Sequence, residues 1–154
     1  MKKVLITLLS LSLMLVYSSC NNKSVKVHGI DVSPLLNKVA KEQNIDYCKL
    51  LEKALNGDTK SILQISLLEF YDGCGYDHGA VLVDLIRIIG EESYINSIGT
   101  TNETQRHRIL SYVEVGLCYT TSNVYYSNKT VEDEFPRLYA FLSHNKLVIN
   151  ELQE

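Results

Sequence analysis

Short apolar patterns with helical spacing recur along this chain from residue 34 onward, and each lies between residues that start or stop helices. The first pattern follows Ser33-Pro34, which places an N-cap residue before a proline at the first helical position. The apolar residues within 35–40 then share one helical face. The alternation of apolar and polar residues that is typical of strands is weak throughout. The sequence therefore predicts an all-α fold.

Stop signals divide the first half of this pattern into several helices. The apolar spacing after residue 34 either continues as one helix or breaks near Asn44 and restarts with Asp46 as a cap. Asn56-Gly57 lies between two apolar runs that lack strict alternation, which predicts a helical hairpin with Asp58 capping its second helix.

The second half shows the same arrangement. Gly90 is placed to end a helix at C′, and Asn102 with Gln105 resembles a capping box. Thr130 or Asp133 begins the last helix, which tolerates Pro136 only in its first turn. We expect about six helices in antiparallel hairpins, forming a compact bundle or a short irregular superhelix over residues 34–154 as a single domain.

The first twenty residues, which read MKKVLITLLSLSLMLVYSSC, differ in character from the rest. Two lysines precede an apolar run of 14 residues, Val4 to Tyr17, which is shorter than the roughly 18 residues that a membrane-spanning helix needs. Ser18 and Ser19 then lead to Cys20. Alternatives are a plain secretory signal cut before Ser19 and an uncleaved anchor.

This segment resembles the signal peptide of bacterial lipoproteins, whose lipobox ends in two small residues and a cysteine. The resemblance covers residues 1–20 only. It implies removal of 1–19, a diacylglyceryl thioether and fatty acylation at Cys20, and attachment to a membrane of the cell envelope. Asn21 after the cysteine implies sorting to the outer membrane, facing the periplasm, because Asp is the usual retention residue in that family.

Residues 20–33 are mostly polar, and we interpret them as the lipidated Cys20 followed by a flexible tether with a reach of roughly 20 Å. The whole chain has a formal net charge of −3 and contains no basic block, which argues against a nucleic-acid partner. Because the protein is acidic, its attachment to an anionic membrane is expected to depend on the acyl groups.

The segment 71–79, YDGCGYDHG, is the richest in glycine and in reactive side chains. It lacks the paired spacing of a metal site, so we predict neither a metal nor a catalytic group there. We expect it to be a turn between helices, with Asp77 as the cap of the second helix. It still supplies the residues with which a ligand or partner could interact: Tyr71, Asp72, Cys74, Tyr76, Asp77 and His78.

Lipidation of Cys20 leaves three further cysteines, which allow one disulfide and one free thiol outside the cytoplasm. Cys48 and Cys74 are the candidate pair. Cys118 lies among residues with core spacing and is expected to be buried.

These observations favour a lipid-anchored envelope protein that binds another protein, with a membrane contact through its lipid and no cofactor. The exposed anchors would be tyrosines, namely Tyr71, Tyr76, Tyr125 and Tyr126. One such role is an immunity-type inhibitor, which protects its own cell from a toxin. The alternative is a metal- or small-ligand-binding enzyme centred on segment 71–79.

Overall fold

The computed structural model describes residues 23–119 and 129–143 of the chain, and over these residues the predicted all-α class is confirmed. Cys20, the predicted lipidation site, and the residues before it lie outside the described residues, as do Tyr125 and Tyr126. The described residues form eight helices, more than the six expected: α1 (Pro34–Glu42), α2 (Tyr47–Leu55), α3 (Thr59–Ser66), α4 (Asp72–Ile89), α5 (Glu91–Ile98), α6 (Glu103–Tyr119), α7 (Val131–Glu134) and α8 (Pro136–Leu142).

Local capping explains several of these boundaries. The Asp46 carboxylate accepts a hydrogen bond from the backbone N–H of Lys49 at 3.1 Å, so the first apolar pattern is two helices, α1 and α2. Asn102 and Gln105 make the reciprocal bonds of a capping box, both at 2.9 Å, before α6. Each of these caps satisfies backbone donors that the first turn of a helix leaves without an internal partner.

The last predicted helix is divided in two. Thr130 forms a capping box with Asp133 and begins α7. Phe135 then leaves the helical conformation, with φ −136° and ψ 66°, and Pro136 occupies the first position of α8. The proline is therefore tolerated where its missing N–H costs no helical hydrogen bond.

A small β-hairpin precedes the helices. β1 (Val25–Val27) pairs antiparallel with β2 (Ile30–Val32), and positive φ angles at His28 and Gly29 make the two-residue turn between them. Val27, Ile30 and Val32 are buried against the helical body. The prediction of a flexible tether over residues 20–33 is therefore wrong from Val25 onward. Burial of these apolar side chains stabilises the domain by more free energy than the loss of chain entropy costs.

Helix α4 is the centre of the domain. Its residues from His78 to Val83 are all buried, which is the pattern of a helix surrounded on every side by others. α6 makes its most extensive contact, and α1, α2, α5 and β2 also pack against it. Among the helices of the described residues, none combines the length and apolar character that crossing a membrane requires.

The two longest helices, α4 and α6, cross at a pair of glycines. A methyl group added at Gly79 would overlap the carbonyl oxygen of Tyr112, and one added at Gly116 would overlap the carbonyl oxygen of Gly79. Neither position has room for a side chain. The two backbones can approach this closely only because both residues lack a Cβ atom.

Candidate functional site

Segment 71–79 is not the turn that its composition predicts. α4 begins at Asp72, directly after Tyr71, so the glycines and reactive side chains of this segment belong to its first turns. Asp77 lies within the helix and caps nothing in it. Its carboxylate accepts a hydrogen bond from the hydroxyl of Ser33, the N-cap of α1, and thereby ties the two helices together.

One face of the same segment is buried in a cluster of aromatic rings around His78. The rings of Tyr47, Phe70 and Tyr112 contact the imidazole edge to face, with centroids 5.8, 5.1 and 4.9 Å away. Nδ1 of His78 forms a 2.8 Å hydrogen bond with the Tyr47 hydroxyl. Nε2 is buried and has no hydrogen-bond partner among the described residues. This environment disfavours the charged imidazolium, and burial lowers the pKa of His78 to about 3.

Tyr112 also fixes the connection between α3 and α4. Its hydroxyl accepts a hydrogen bond from the backbone N–H of Phe70 and donates one to the carbonyl oxygen of the same residue, both at 2.9 Å. This one side chain therefore satisfies two backbone groups that belong to no helix. Phe70, the residue just before Tyr71, is therefore held in place by a side chain of α6.

The thiols of this region are protonated rather than activated. Burial, with further contributions from Asp77 and Asp72, raises the pKa of Cys74, and burial also raises the pKa of Cys48. Both are free thiols in the structure, so the predicted Cys48–Cys74 disulfide is not formed there. Cys118 is also free and is exposed, which corrects the expectation that it would be buried.

A nucleophilic pair needs a thiolate beside an imidazole that can take its proton. Cys74 and His78 are one turn apart on α4, but the shifts in their pKa values both favour the neutral forms. Within residues 23–119 and 129–143, no three His, Cys, Asp or Glu side chains are placed to share a metal ion. The described structure thus does not bring the reactive side chains of segment 71–79 together as a metal site or as a nucleophile and its base.

Two tyrosines of the segment are exposed. Tyr71 is 76% exposed and Tyr76 is 46% exposed. Tyr76 stacks on Tyr119 from the end of α6, with parallel rings whose centroids are 5.1 Å apart. Leu35 of α1, half exposed, lies beside the first turn of α4, where its side chain is 3.5 Å from the Cβ position of Gly73. We refer to Leu35, Tyr71, Tyr76 and Tyr119 as the tyrosine surface.

Sequence reasoning missed two members of this surface. Leu35 was grouped with the apolar face of its helix but is 50% exposed, and Tyr119 was not considered. A signal was present, because Tyr76 and Tyr119 each lie three residues from one of the two glycines, Gly79 and Gly116, at which α4 and α6 cross. Two glycines within apolar patterns indicate a close helix crossing, and residues one turn away from it are near neighbours. The pairing of these two glycines, however, could not be read from a single sequence.

Comparison with protein-family models, with curated proteins and with solved structures finds no match to this chain.

Proposed function

We propose that this chain is a lipid-anchored protein of the bacterial cell envelope whose helical domain binds another protein through the tyrosine surface. The observation that carries the proposal is the exposed stack of Tyr76 on Tyr119, together with the still more exposed Tyr71 five residues before Tyr76 in the chain. The anchor is supported by the lipobox-type segment that ends at Cys20. No cofactor enters this function.

The tyrosine surface has the composition of a protein-binding site. Tyrosine combines a large apolar ring with a hydroxyl and has few rotatable bonds, so it loses little entropy when a partner covers it. Stacking already restricts Tyr76 and Tyr119, and the anchoring of Phe70 by Tyr112 restricts the backbone that carries Tyr71. The surface is therefore largely ordered before a partner arrives, which lowers the entropic cost of binding.

The charge of the domain indicates the kind of protein that it would bind. From Asp46 to the end of the chain, acidic residues outnumber Lys and Arg by 16 to 9. A basic protein would be attracted to this part of the molecule, and its association would be faster at low ionic strength. A small acidic inhibitor anchored in the envelope that neutralises a basic toxin, as an immunity protein does, combines these properties.

Site-specific photocrosslinking in the producing cell tests this function. A photoreactive phenylalanine derivative would replace Tyr71 or Tyr119 in one set of proteins and Ile88 in the control, because Ile88 is also largely exposed but lies near the far end of α4. We expect the same partner to be crosslinked from positions 71 and 119 and not from position 88.

A second variant links the crosslink to the surface itself. Tyr71→Ala should reduce the crosslink from position 119, because both residues contact one partner, while leaving the helical content unchanged. Crosslinks of equal yield from all three positions, or none from positions 71 and 119, would contradict the proposal.

A further inference from the structure

The β-hairpin changes what a lipid anchor at Cys20 would mean for the orientation of the domain. Only two residues separate Cys20 from Lys23, where the described structure begins. Three Cα–Cα steps span at most about 11 Å. The domain therefore has far less freedom than a long tether would give it, and the face around Lys23 must lie next to the bilayer.

That face carries a groove with a basic lining. Between the start of β1 and helix α1 lies an open depression of about 650 Å³, whose lining includes Lys23, Lys38 and Lys41. Val25 and Pro34 contribute apolar surface to the same groove. We refer to these five residues as the lysine groove.

The acidic groups near the groove leave it positively charged. Glu42 also lines it and lies 3.9 Å from the Lys38 ammonium group, with both side chains well exposed. Asp31 on β2 is engaged with Lys26, 3.4 Å away. Residues 23–42 contain four lysines against two acidic residues, whereas acidic residues predominate in the rest of the domain. The chain thus has a basic end at its point of attachment and an acidic body beyond it.

We propose that the lysine groove lies against the anionic phospholipid headgroups of the membrane that holds Cys20. This inference rests on the lipid anchor of the proposed function and adds an orientation to it. A lysine near an anionic surface is attracted to it, while its aliphatic stem and the neighbouring apolar residues can enter the interface. Repulsion of the acidic body by the same surface turns that body outward, towards a partner.

Amine footprinting of the mature protein, purified with its lipid, tests the orientation. The protein is reconstituted into phosphatidylcholine vesicles with or without phosphatidylglycerol, and the labelling rate of each lysine is measured by mass spectrometry. Lys23, Lys38 and Lys41 should react about fivefold more slowly in the anionic vesicles. The exposed lysines of α2, Lys49 and Lys53, should react equally in both. High salt should remove the difference.

A pair of charge-reversal variants controls for net charge. Lys38→Glu combined with Lys41→Glu should abolish the protection of Lys23, whereas Lys49→Glu combined with Lys53→Glu, which changes the net charge equally, should preserve it. Circular dichroism checks that both variants are folded.

The intact mass of each sample separates the two proposals. If Cys20 carries its lipid and the three groove lysines react at the same rate in both kinds of vesicle, the proposed orientation is overturned while the anchor stands. If the mass shows an unmodified Cys20, the anchor is overturned and the orientation falls with it.

Discussion

His78 shows how a single buried residue can link the stability of this domain to pH. Its imidazole lies among three aromatic rings, and one of its two nitrogens has no hydrogen-bond partner within the described part of the chain. A neutral imidazole is tolerated there because its ring packs well against the edges of its neighbours. A protonated one would place a charge in apolar surroundings without a counter-ion.

The sign of the pH effect follows from the two pKa values. In the unfolded chain a histidine has a pKa near 6.5, while burial lowers the folded pKa of His78 to about 3. Between these values the unfolded state binds a proton and the folded state does not. Stability from this residue is thus fully present above about pH 6.5 and is lost as the pH falls, by roughly 1.4 kcal/mol per pH unit. Urea unfolding at a series of pH values measures this slope.

Matched variants isolate the contribution of His78 from that of the acidic groups. His78→Gln removes the titrating group, so its unfolding free energy should vary less with pH between 6 and 4.5, whatever its absolute stability. His107→Gln, which replaces an exposed histidine on α6, is the matched control and should change the slope less than His78→Gln does. Equal slopes for all three proteins would show that His78 titrates normally.

At the scale of single helices, the sequence predicts those helix boundaries that depend only on neighbouring residues. Ser33, Asp46 and Thr130 cap the helices that follow them, as expected, because a cap needs only its own side chain and the next few backbone groups. The start of α4 was predicted wrongly because it depends on contacts with residues that are distant in the sequence. Glycines at 73, 75 and 79 favour a turn by intrinsic propensity, and only packing against other elements makes this segment helical.

In the candidate site, too, local features could be predicted from the sequence and long-range contacts could not. The exposure of Tyr71 and Tyr76 could be inferred from the composition of segment 71–79. The burial of His78 could not, because Tyr47 and Tyr112 approach it from distant parts of the sequence. Contacts between residues that are distant in the sequence produce no local sequence pattern from which they could be predicted.

The glycine crossing of α4 and α6 can be tested by adding one methyl group. Gly79→Ala would place its Cβ against the backbone of Tyr112 rather than against a movable side chain. The two helices would have to separate, and we expect a loss of about 3 kcal/mol of unfolding free energy. Loss of the stacked geometry of Tyr76 on Tyr119 should accompany it, since both lie one turn from the crossing.

Gly73→Ala is the control on the same helix. Its added methyl group would meet the end of the Leu35 side chain at 3.5 Å, an ordinary contact, so stability should be unchanged or slightly higher. Chemical denaturation compares the two variants. Similar stability for both would mean that the crossing is looser than the structure indicates.

For the molecule as a whole, the hairpin decides how the helical body relates to the N-terminal segment. A flexible tether would separate the domain from Cys20 and allow every orientation. The observed strands place Val27 and Val32 in the same hydrophobic core as the helices, so residues 25–32 fold with the body. The tyrosine surface and the lysine groove then have fixed positions relative to each other, and orientation at the membrane would also orient the surface that we propose as the binding site.

The contribution of the hairpin to the whole fold can be measured with two substitutions on its strands. Ile30 on β2 is only 3% exposed, and Ile30→Ala should lower the unfolding free energy by about 2–4 kcal/mol, because it removes buried methyl groups and leaves a cavity. Val25 on β1 is 39% exposed, so Val25→Ala should cost less than about 1 kcal/mol. A flexible segment would make both changes neutral. Unequal losses in urea unfolding, in the stated order, would instead show that the hairpin is an integral part of the domain.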